Sequence, residues 1–274
     1  MQTVSAFFVY IKHIIKQLIK RRVILMKCFV IKGRALFFAI LSAVCVCVGV
    51  GTLNSQSVFK VGTREIPIYC VERHDNKIAL TFNCAWNDDD IDNILKTLDA
   101  YGVKSTFFIV GEWAEKYPES VKRIYEKGHE IANHSYAHDH YSKWSKERIL
   151  EDIEKCDNLL KEITGTKPVL FRAAYGEYND NVVLACDESG RYYIQWSVDS
   201  IDYGDATESD IYKRVMDKTE AGSIVLMHSG TKNTAKILPK IIADLSANYE
   251  MCTVSDLIYK ENYTIDATGK QKKN

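Results

Sequence analysis

Short apolar runs alternate with amphipathic segments along the chain from residue 78 onward. The run 78–82, IALTF, predicts a buried strand, and the apolar positions of the following segment, DDDIDNILKTLDAYGV, fall on one face of a helix that Asp88 or Asp89 could cap. Further strands are predicted at 105–110, 129–133, 169–171, 192–198 and 223–228. Further helices are predicted at 113–127, 146–164, 208–220 and 234–247.

This alternation predicts an α/β protein in which helices cover a parallel sheet. Gly128 and Gly165 follow two of the predicted helices, where glycine commonly ends a helix. The pattern repeats about seven times in roughly 200 residues, which favours a (β/α) barrel over an open sheet. The segment contains no internal repeat.

One long segment without charge precedes this pattern. Residues 35–53 carry no charged side chain, and as a helix these 19 residues would span about 28 Å, enough to cross a bilayer. Eight basic and no acidic residues lie in 1–34, whereas only Lys60 and Arg64 follow closely. The positive-inside rule therefore predicts a single-pass cell-membrane protein whose later domain lies outside the cytoplasm. A cleaved signal peptide is the alternative; we favour an uncleaved anchor.

These features predict a division of the chain into five parts. They are a cytoplasmic basic segment 1–34, a transmembrane anchor 35–53, a stalk leading into extended structure 54–77, a globular domain 78–260 and a polar tail 261–274. We expect the end of this tail, ATGKQKKN at 267–274, to be frayed. Residues 26–34, MKCFVIKGR, would form an ordinary cytosolic lead before the anchor, so we expect translation to start at Met26.

The charge balance limits the class of protein. Lys and Arg together number 36, as do Asp and Glu, and the residues after position 53 carry a net charge of −8. Such a domain is unlike a nucleic-acid-binding protein, which usually has a basic surplus. The eight cysteines are scattered without a C-x-x-C motif, which argues against a disulfide framework. We expect a monomer that binds no nucleic acid.

Polar residues recur where the predicted strands end. In a parallel β/α barrel the carboxyl ends of the strands carry the chemistry. Five such ends are rich in polar side chains, and they begin at Asn83, His134, Arg172, Asp199 and His228.

His134 and His138 give the most specific local signal. Two imidazoles four residues apart can bind one metal ion and leave positions open for substrate and water. The alternative is a pair of unrelated surface histidines, but the four other polar strand ends favour the metal site. His129 is predicted to be structural, and His140 to be a loop residue.

Four motifs follow in order along the domain. His134, Ser135 and His138 match H-[ST]-x-x-H; Leu226 and His228 match L-x-H. The two motifs between them, R-x-P-[YF]-G and D-x-x-D-[WY], are matched at Arg172, Tyr175, Gly176, Asp199, Asp202 and Tyr203, with Ala174 where proline is usual. From about Ile78 to Tyr259 the chain resembles the polysaccharide deacetylases, also called the NodB-homology domain or carbohydrate esterase family 4.

The resemblance implies a distorted β/α barrel, a divalent metal ion, expected to be zinc, and hydrolysis of N-acetyl or O-acetyl groups on a polysaccharide. His228 would protonate the leaving amine, with Asp199 or Asp202 supporting its charged form. The backbone N–H of Tyr175 would stabilise the oxyanion, and Arg172 would orient acidic groups. The substrate expected for an outward-facing domain is cell-wall glycan, most simply peptidoglycan.

The first motif departs from the family pattern T-F-D-D, in which the first Asp is the general base and the second a metal ligand. Here it reads Thr81-Phe82-Asn83-Cys84. An amide is not a useful base, whereas a cysteine thiolate can bind zinc. Cys84 is therefore either a third metal ligand or a buried thiol. Asp88 could replace the missing base, or it could simply start a helix.

Two functions follow from this departure. The leading hypothesis is a membrane-anchored hydrolase that deacetylates cell-wall glycan and acts on non-peptide C–N bonds. The other is a catalytically impaired relative that binds glycan or serves as a scaffold, and Asn83 supports it. The aromatic residues Trp86, Trp196 and Tyr203 could stack on sugar faces or belong to the core.

Overall fold

The computed structural model describes residues 66–274 and, in the N-terminal segment, positions 16, 17 and 21. The predicted start at Met26 and the predicted anchor 35–53 lie outside the described residues. Of the residues described, none belongs to a helix long and apolar enough to span a bilayer.

The described domain consists of short strands alternating with helices. The strands are β1 Cys70–Val71, β2 Lys77–Cys84, β3 Thr106–Ile109, β4 Glu130–Asn133, β5 Leu170–Phe171, β6 Tyr192–Tyr193, β7 Val198–Asp199, β8 Ile224–His228, β9 Glu250–Cys252, β10 Tyr263–Ile265 and β11 Lys270–Lys273. The helices are α1 Ile91–Ala100, α2 Gly111–Lys116, α3 Pro118–Glu126, α4 Lys146–Thr164, α5 Asp180–Glu188, α6 Glu208–Lys218, α7 Thr234–Leu245 and α8 Val254–Leu257.

The main sheet is parallel, as the alternation of strands and helices predicts. Its order is β6-β5-β4-β3-β2-β8-β7, and β9 adds to the beginning of β2. Within residues 66–274 no ladder joins β6 to β7, so the barrel is open on that side. Ile68 lies at this opening, where its N–H donates to Tyr193 O (2.9 Å) and its C=O accepts from Gln195 N (2.7 Å).

The alternation of side chains along β2 determines which of its residues face the interior of the barrel. Successive side chains of a strand point to opposite faces, so the even positions of β2 share one face. Ile78, Leu80, Phe82 and Cys84 pack in a cluster with buried residues of α1 and α7. Asn83 is on the opposite face and points into the barrel, towards the carboxyl ends of the strands.

Two predicted elements are interrupted. The helix predicted at 113–127 is split at Tyr117, which has ψ 54° and precedes Pro118. The proline ring disfavours helical backbone at the preceding residue, and a second helix then starts at the proline. The strand predicted at 192–198 is split into β6 and β7.

The prediction that the polar tail is frayed was wrong. Strand β11 pairs with β1 on one side and with β10 on the other. Gln271 is fully buried, and its amide accepts from Tyr259 N (2.8 Å) and donates to Tyr259 O (2.7 Å). These paired hydrogen bonds hold a hydrophilic segment in place without a large apolar surface.

His129 lies buried at the other end of the barrel, as its predicted structural role requires. Its Nδ1 accepts a hydrogen bond from Ser105 N (3.3 Å), and burial, together with the nearby Lys104, lowers the pKa of the imidazole to about 4. In the unfolded chain a histidine has a pKa of about 6.5. Between pH 6.5 and pH 4 this imidazole is therefore protonated in the unfolded state and neutral in the folded state.

We therefore expect His129 to lower stability as pH falls from about 6.5 to about 4, by about 2–3 kcal/mol. His129→Gln keeps an acceptor for Ser105 N and does not titrate there. Urea unfolding at pH 7 and pH 4.5 compares the two proteins. The wild type should lose more stability than the variant, and equal losses would contradict the assignment.

Candidate active site

A cleft of about 300 Å³ opens at the carboxyl ends of the strands. It brings together six of the residues that the sequence singles out: Asn83, His134, His138, Tyr175, Asp199 and His228. Arg172 and Asp202 lie directly behind this lining and contact it. The convergence follows from the parallel sheet, because all the strands of such a sheet end at the same edge.

His134 and His138 lie in one wall of the cleft, with ring centroids 5.1 Å apart. Ser135 and His138 both have positive φ, so the two histidines are brought together by a turn and not by a helix. His134 Nδ1 lies 2.8 Å from Arg172 O. A carbonyl oxygen only accepts, so Nδ1 carries the proton and Nε2 is the acceptor nitrogen. Burial holds the pKa of His134 well below its usual range, so the ring is neutral.

His228 is held by Asp202. Its Nδ1 donates to Asp202 Oδ1 (2.7 Å), and its backbone N–H donates to Oδ2 of the same carboxylate (2.8 Å). Trp86 and Tyr203 flank the imidazole, with centroids 5.1 and 5.3 Å from it. This arrangement fixes the ring and leaves Nε2 as the nitrogen that can serve the cleft.

Asp199 has a different role from Asp202. It lines the cleft, and its Oδ1 accepts a hydrogen bond from Ile201 N (2.8 Å). The sequence leaves open whether Asp199 or Asp202 is the partner of His228, and in the structure the partner is Asp202. Sequence reasoning missed Thr234, whose hydroxyl donates to the Asp202 carboxylate from the start of α7. No sequence signal connects Thr234 to the motif.

Arg172 crosses beneath the cleft and is fully buried. Its guanidinium donates to Asn83 Oδ1 (2.8 Å), Thr81 Oγ1 (3.1 Å) and Gln195 O (3.1 Å). It also lies 3.8 Å from the ring centroid of Phe108. All of these partners are neutral, so the prediction that Arg172 orients acidic groups was wrong. Burial lowers the pKa of Arg172 to about 9, but the group remains a cation at neutral pH.

The sequence allows Cys84 to be either a third metal ligand or a buried thiol, and in the structure it is a buried thiol. It is on the opposite face of β2 from Asn83 and has no exposed surface. Burial also raises the pKa of its thiol to about 12, as expected of a cysteine that belongs to the apolar core. The suggestion of Cys84 as a third metal ligand was therefore wrong.

Asp88 does not reach the cleft, so the suggestion that it replaces the base was wrong. Its Oδ2 accepts from the hydroxyl of Ser120 at the start of α3 (2.5 Å). The N-cap of α1 is Asp90, and no side-chain capping bond forms there. The Asp90 carboxylate instead accepts from Gly230 N (2.7 Å), which joins the loop after β2 to the loop after β8.

The donor set does not fit the zinc centre that the resemblance implies. In the part of the chain that the structure describes, no group of three or more His, Cys, Asp and Glu side chains could hold a metal ion. Catalytic zinc sites use three protein ligands. His134 and His138 supply two, Cys84 faces away, and Arg172 engages the side-chain oxygen of Asn83.

Tyr175 projects at the mouth of the cleft and has a left-handed backbone, with φ 59°. Its ring stacks on His140, with centroids 4.2 Å apart, and meets the edge of His138. His140 Nδ1 in turn lies 2.6 Å from Glu177 Oε1. His140 lies in a loop, as predicted, but its stacking on Tyr175, which supports this wall of the cleft, was not predicted.

Comparisons with known proteins agree with this fold. The family model for polysaccharide deacetylase matches residues 71–194. A peptidoglycan-N-acetylglucosamine deacetylase of Bacillus cereus is 34% identical over 173 residues, which cover 62% of this chain and 63% of that protein. Another B. cereus protein of the same name is 30% identical over 194 residues, which cover 69% of this chain and 91% of that protein.

Among solved structures, a CE4 family pseudoenzyme from Bacillus anthracis is 31% identical, with a TM-score of 0.67. The match covers 70% of this chain and 68% of that chain. A mutant of that pseudoenzyme is described as having restored enzymatic activity. The present chain belongs to the polysaccharide deacetylase family. It spans 60%, 63% and 43% of the lengths of three curated relatives, so it corresponds to only part of those proteins.

Proposed function

We propose that this protein acts on N-acetylated cell-wall glycan, which it binds in the cleft and deacetylates slowly. The observation that carries the proposal is the His228–Asp202 pair, which shares the cleft at the carboxyl ends of the strands with His134 and His138. The peptidoglycan substrates named for the relatives support the choice of substrate class.

The walls of the cleft suit a sugar. Trp86, Tyr175 and Tyr203 are large aromatic residues, yet about half of each side chain is exposed: 47%, 59% and 51%. All three line the cleft. Aromatic faces and a few polar groups are typical of a pocket that binds an amphipathic ligand.

The reaction adds water to the acetamide carbon and breaks its bond to nitrogen, releasing acetate and an amine. Asp202 keeps the proton of His228 on Nδ1, so Nε2 is the atom that would deliver a proton to the leaving amine. The backbone N–H of Tyr175 is proposed to donate to the oxyanion. Asn83 cannot accept a proton from the water, and the hydrolysis is therefore slow.

A second candidate function is glycan binding without turnover. The hydrogen bond from Arg172 to Asn83 favours it, because it occupies the only acceptor atom of the side chain at the base position. The incomplete set of metal ligands among the described residues points in the same direction.

We also propose that the protein is a single-pass membrane protein, a monomer, with the glycan-binding domain outside the cytoplasm. The basic segment 1–34, the uncharged segment 35–53 and the acidic remainder of the chain support this placement.

Acetate release and glycan binding by the full-length protein test the proposed function. The substrates are peptidoglycan and N-acetylated chito-oligomers, each with and without added Zn²⁺, Co²⁺ or Mn²⁺. We expect binding accompanied by slow acetate release. Binding without any acetate would favour the second function, and the absence of both would contradict the proposal.

A further inference from the structure

The orientation of the Asn83 amide is fixed by its neighbour. Arg172 Nη1 lies 2.8 Å from the side-chain atom placed as Asn83 Oδ1. A guanidinium only donates hydrogen bonds, so the atom facing it must be the amide oxygen. Because the amide is planar, its Nδ2 group points away from Arg172.

That orientation gives the cleft a donor at this position. Asn83 is on the inward face of β2, only 4% of its surface is exposed, and it lines the cleft. A buried NH₂ group that leaves water needs an acceptor, and a missing acceptor costs about 1–3 kcal/mol. The ligand of the cleft is the natural source of that acceptor.

The cleft also offers an acceptor of the matching kind. His134 lines the same cleft, and its Nδ1 proton is directed at Arg172 O, so its Nε2 accepts. An acetamide group carries one acceptor, the carbonyl oxygen, and one donor, the N–H. The donor of Asn83 and the acceptor of His134 are therefore complementary to an intact acetamide.

We infer that Asn83 recognises the intact N-acetyl group of the glycan: its Nδ2 donates to the acetamide carbonyl oxygen, while His134 Nε2 accepts the acetamide N–H. This inference rests on the proposed glycan-binding function and adds a selectivity to it. A free amino sugar lacks the carbonyl oxygen and leaves the Asn83 donor unpaired. The cleft therefore binds acetylated sugars in preference to deacetylated ones.

Calorimetric titration of the full-length protein tests this selectivity. The ligands are the tetramer of N-acetylglucosamine and the tetramer of glucosamine, in buffer containing EDTA. We expect the wild type to bind the acetylated tetramer at least about 10-fold more tightly, the worth of one paired donor. In Asn83→Ala and Asn83→Asp the ratio should fall towards one, since alanine removes the donor and aspartate places an oxygen against the carbonyl.

Asn93→Asp is the matched control. Asn93 is exposed on α1, so this substitution makes the same change of charge outside the cleft. It should keep the wild-type ratio. Acetate is assayed in the same samples, so that turnover by Asn83→Asp is not mistaken for weak binding. Asn83→Ala cannot gain a base, and circular dichroism establishes that each variant is folded.

The outcomes separate this inference from the proposed function. A wild type that binds neither tetramer overturns both. If the wild type and Asn83→Ala bind the acetylated tetramer equally tightly, the proposed function stands and the recognition role of Asn83 is overturned. A ratio near one in the wild type also overturns that role.

Discussion

Asn83→Asp is expected to raise acetate release from acetylated peptidoglycan by about 10²–10⁴-fold, the usual contribution of a positioned general base. The new carboxylate would lie where Arg172 already donates to the side-chain oxygen at 2.8 Å. A carboxylate beside a guanidinium stays ionised near neutral pH and can accept a proton from water. Its second oxygen would replace Nδ2 on the side that faces the cleft.

The measurement is the initial rate of acetate release by the full-length protein, with and without added Zn²⁺. Asn83→Ala is the control for loss of the amide, and it should show no gain. If Asn83→Asp is no faster than the wild type, the base is not the missing component, and binding without turnover becomes the better description.

His228→Ala is expected to lower kcat by about 10²–10⁴-fold, the usual contribution of a positioned general acid. The Asn83→Asp variant is the suitable background, because its faster rate makes the loss measurable. The imidazole is fixed by two hydrogen bonds to Asp202 and by the flanking rings of Trp86 and Tyr203. KM should change much less than kcat, since the proton is transferred only in the transition state.

Tyr203→Phe provides a matched control, because it keeps the ring beside His228 and removes only a hydroxyl. It should retain most of the activity. Asp202→Asn should fall between the two, because the amide still contacts Nδ1 but does not support a charged imidazole. A His228→Ala protein with an unchanged kcat would show that another group supplies the proton.

Most of the β/α pattern could be predicted from the sequence, because its strands are apolar runs and its helices have one apolar face. The helix Lys146–Thr164 has the bounds that its periodicity predicts, and Gly165 ends it with φ 77°. Helix α5 was missed. Its nine residues include adjacent valines at 182 and 183, which by themselves resemble a strand more than a helix.

The meeting of the site residues was predictable, but their contacts were not. The motifs place Asn83, His134 and His228 at strand ends, and a parallel sheet brings such ends together. Strand alternation alone could have shown that Asn83 and Cys84 face opposite sides of β2. The reach of Arg172 beneath the cleft depends on the curvature of the sheet, which no local pattern encodes.

The pairing of β1 with β11 affects how the protein can be produced in pieces. A fragment ending near residue 260 would look complete from its sequence, since only polar residues follow. It would lack the partner strand of Cys70–Val71 and the buried amide that binds both backbone groups of Tyr259. Expression fragments of this domain should therefore start before Ile68 and extend through Lys273, and a C-terminal tag needs a linker that leaves this last strand free to pair.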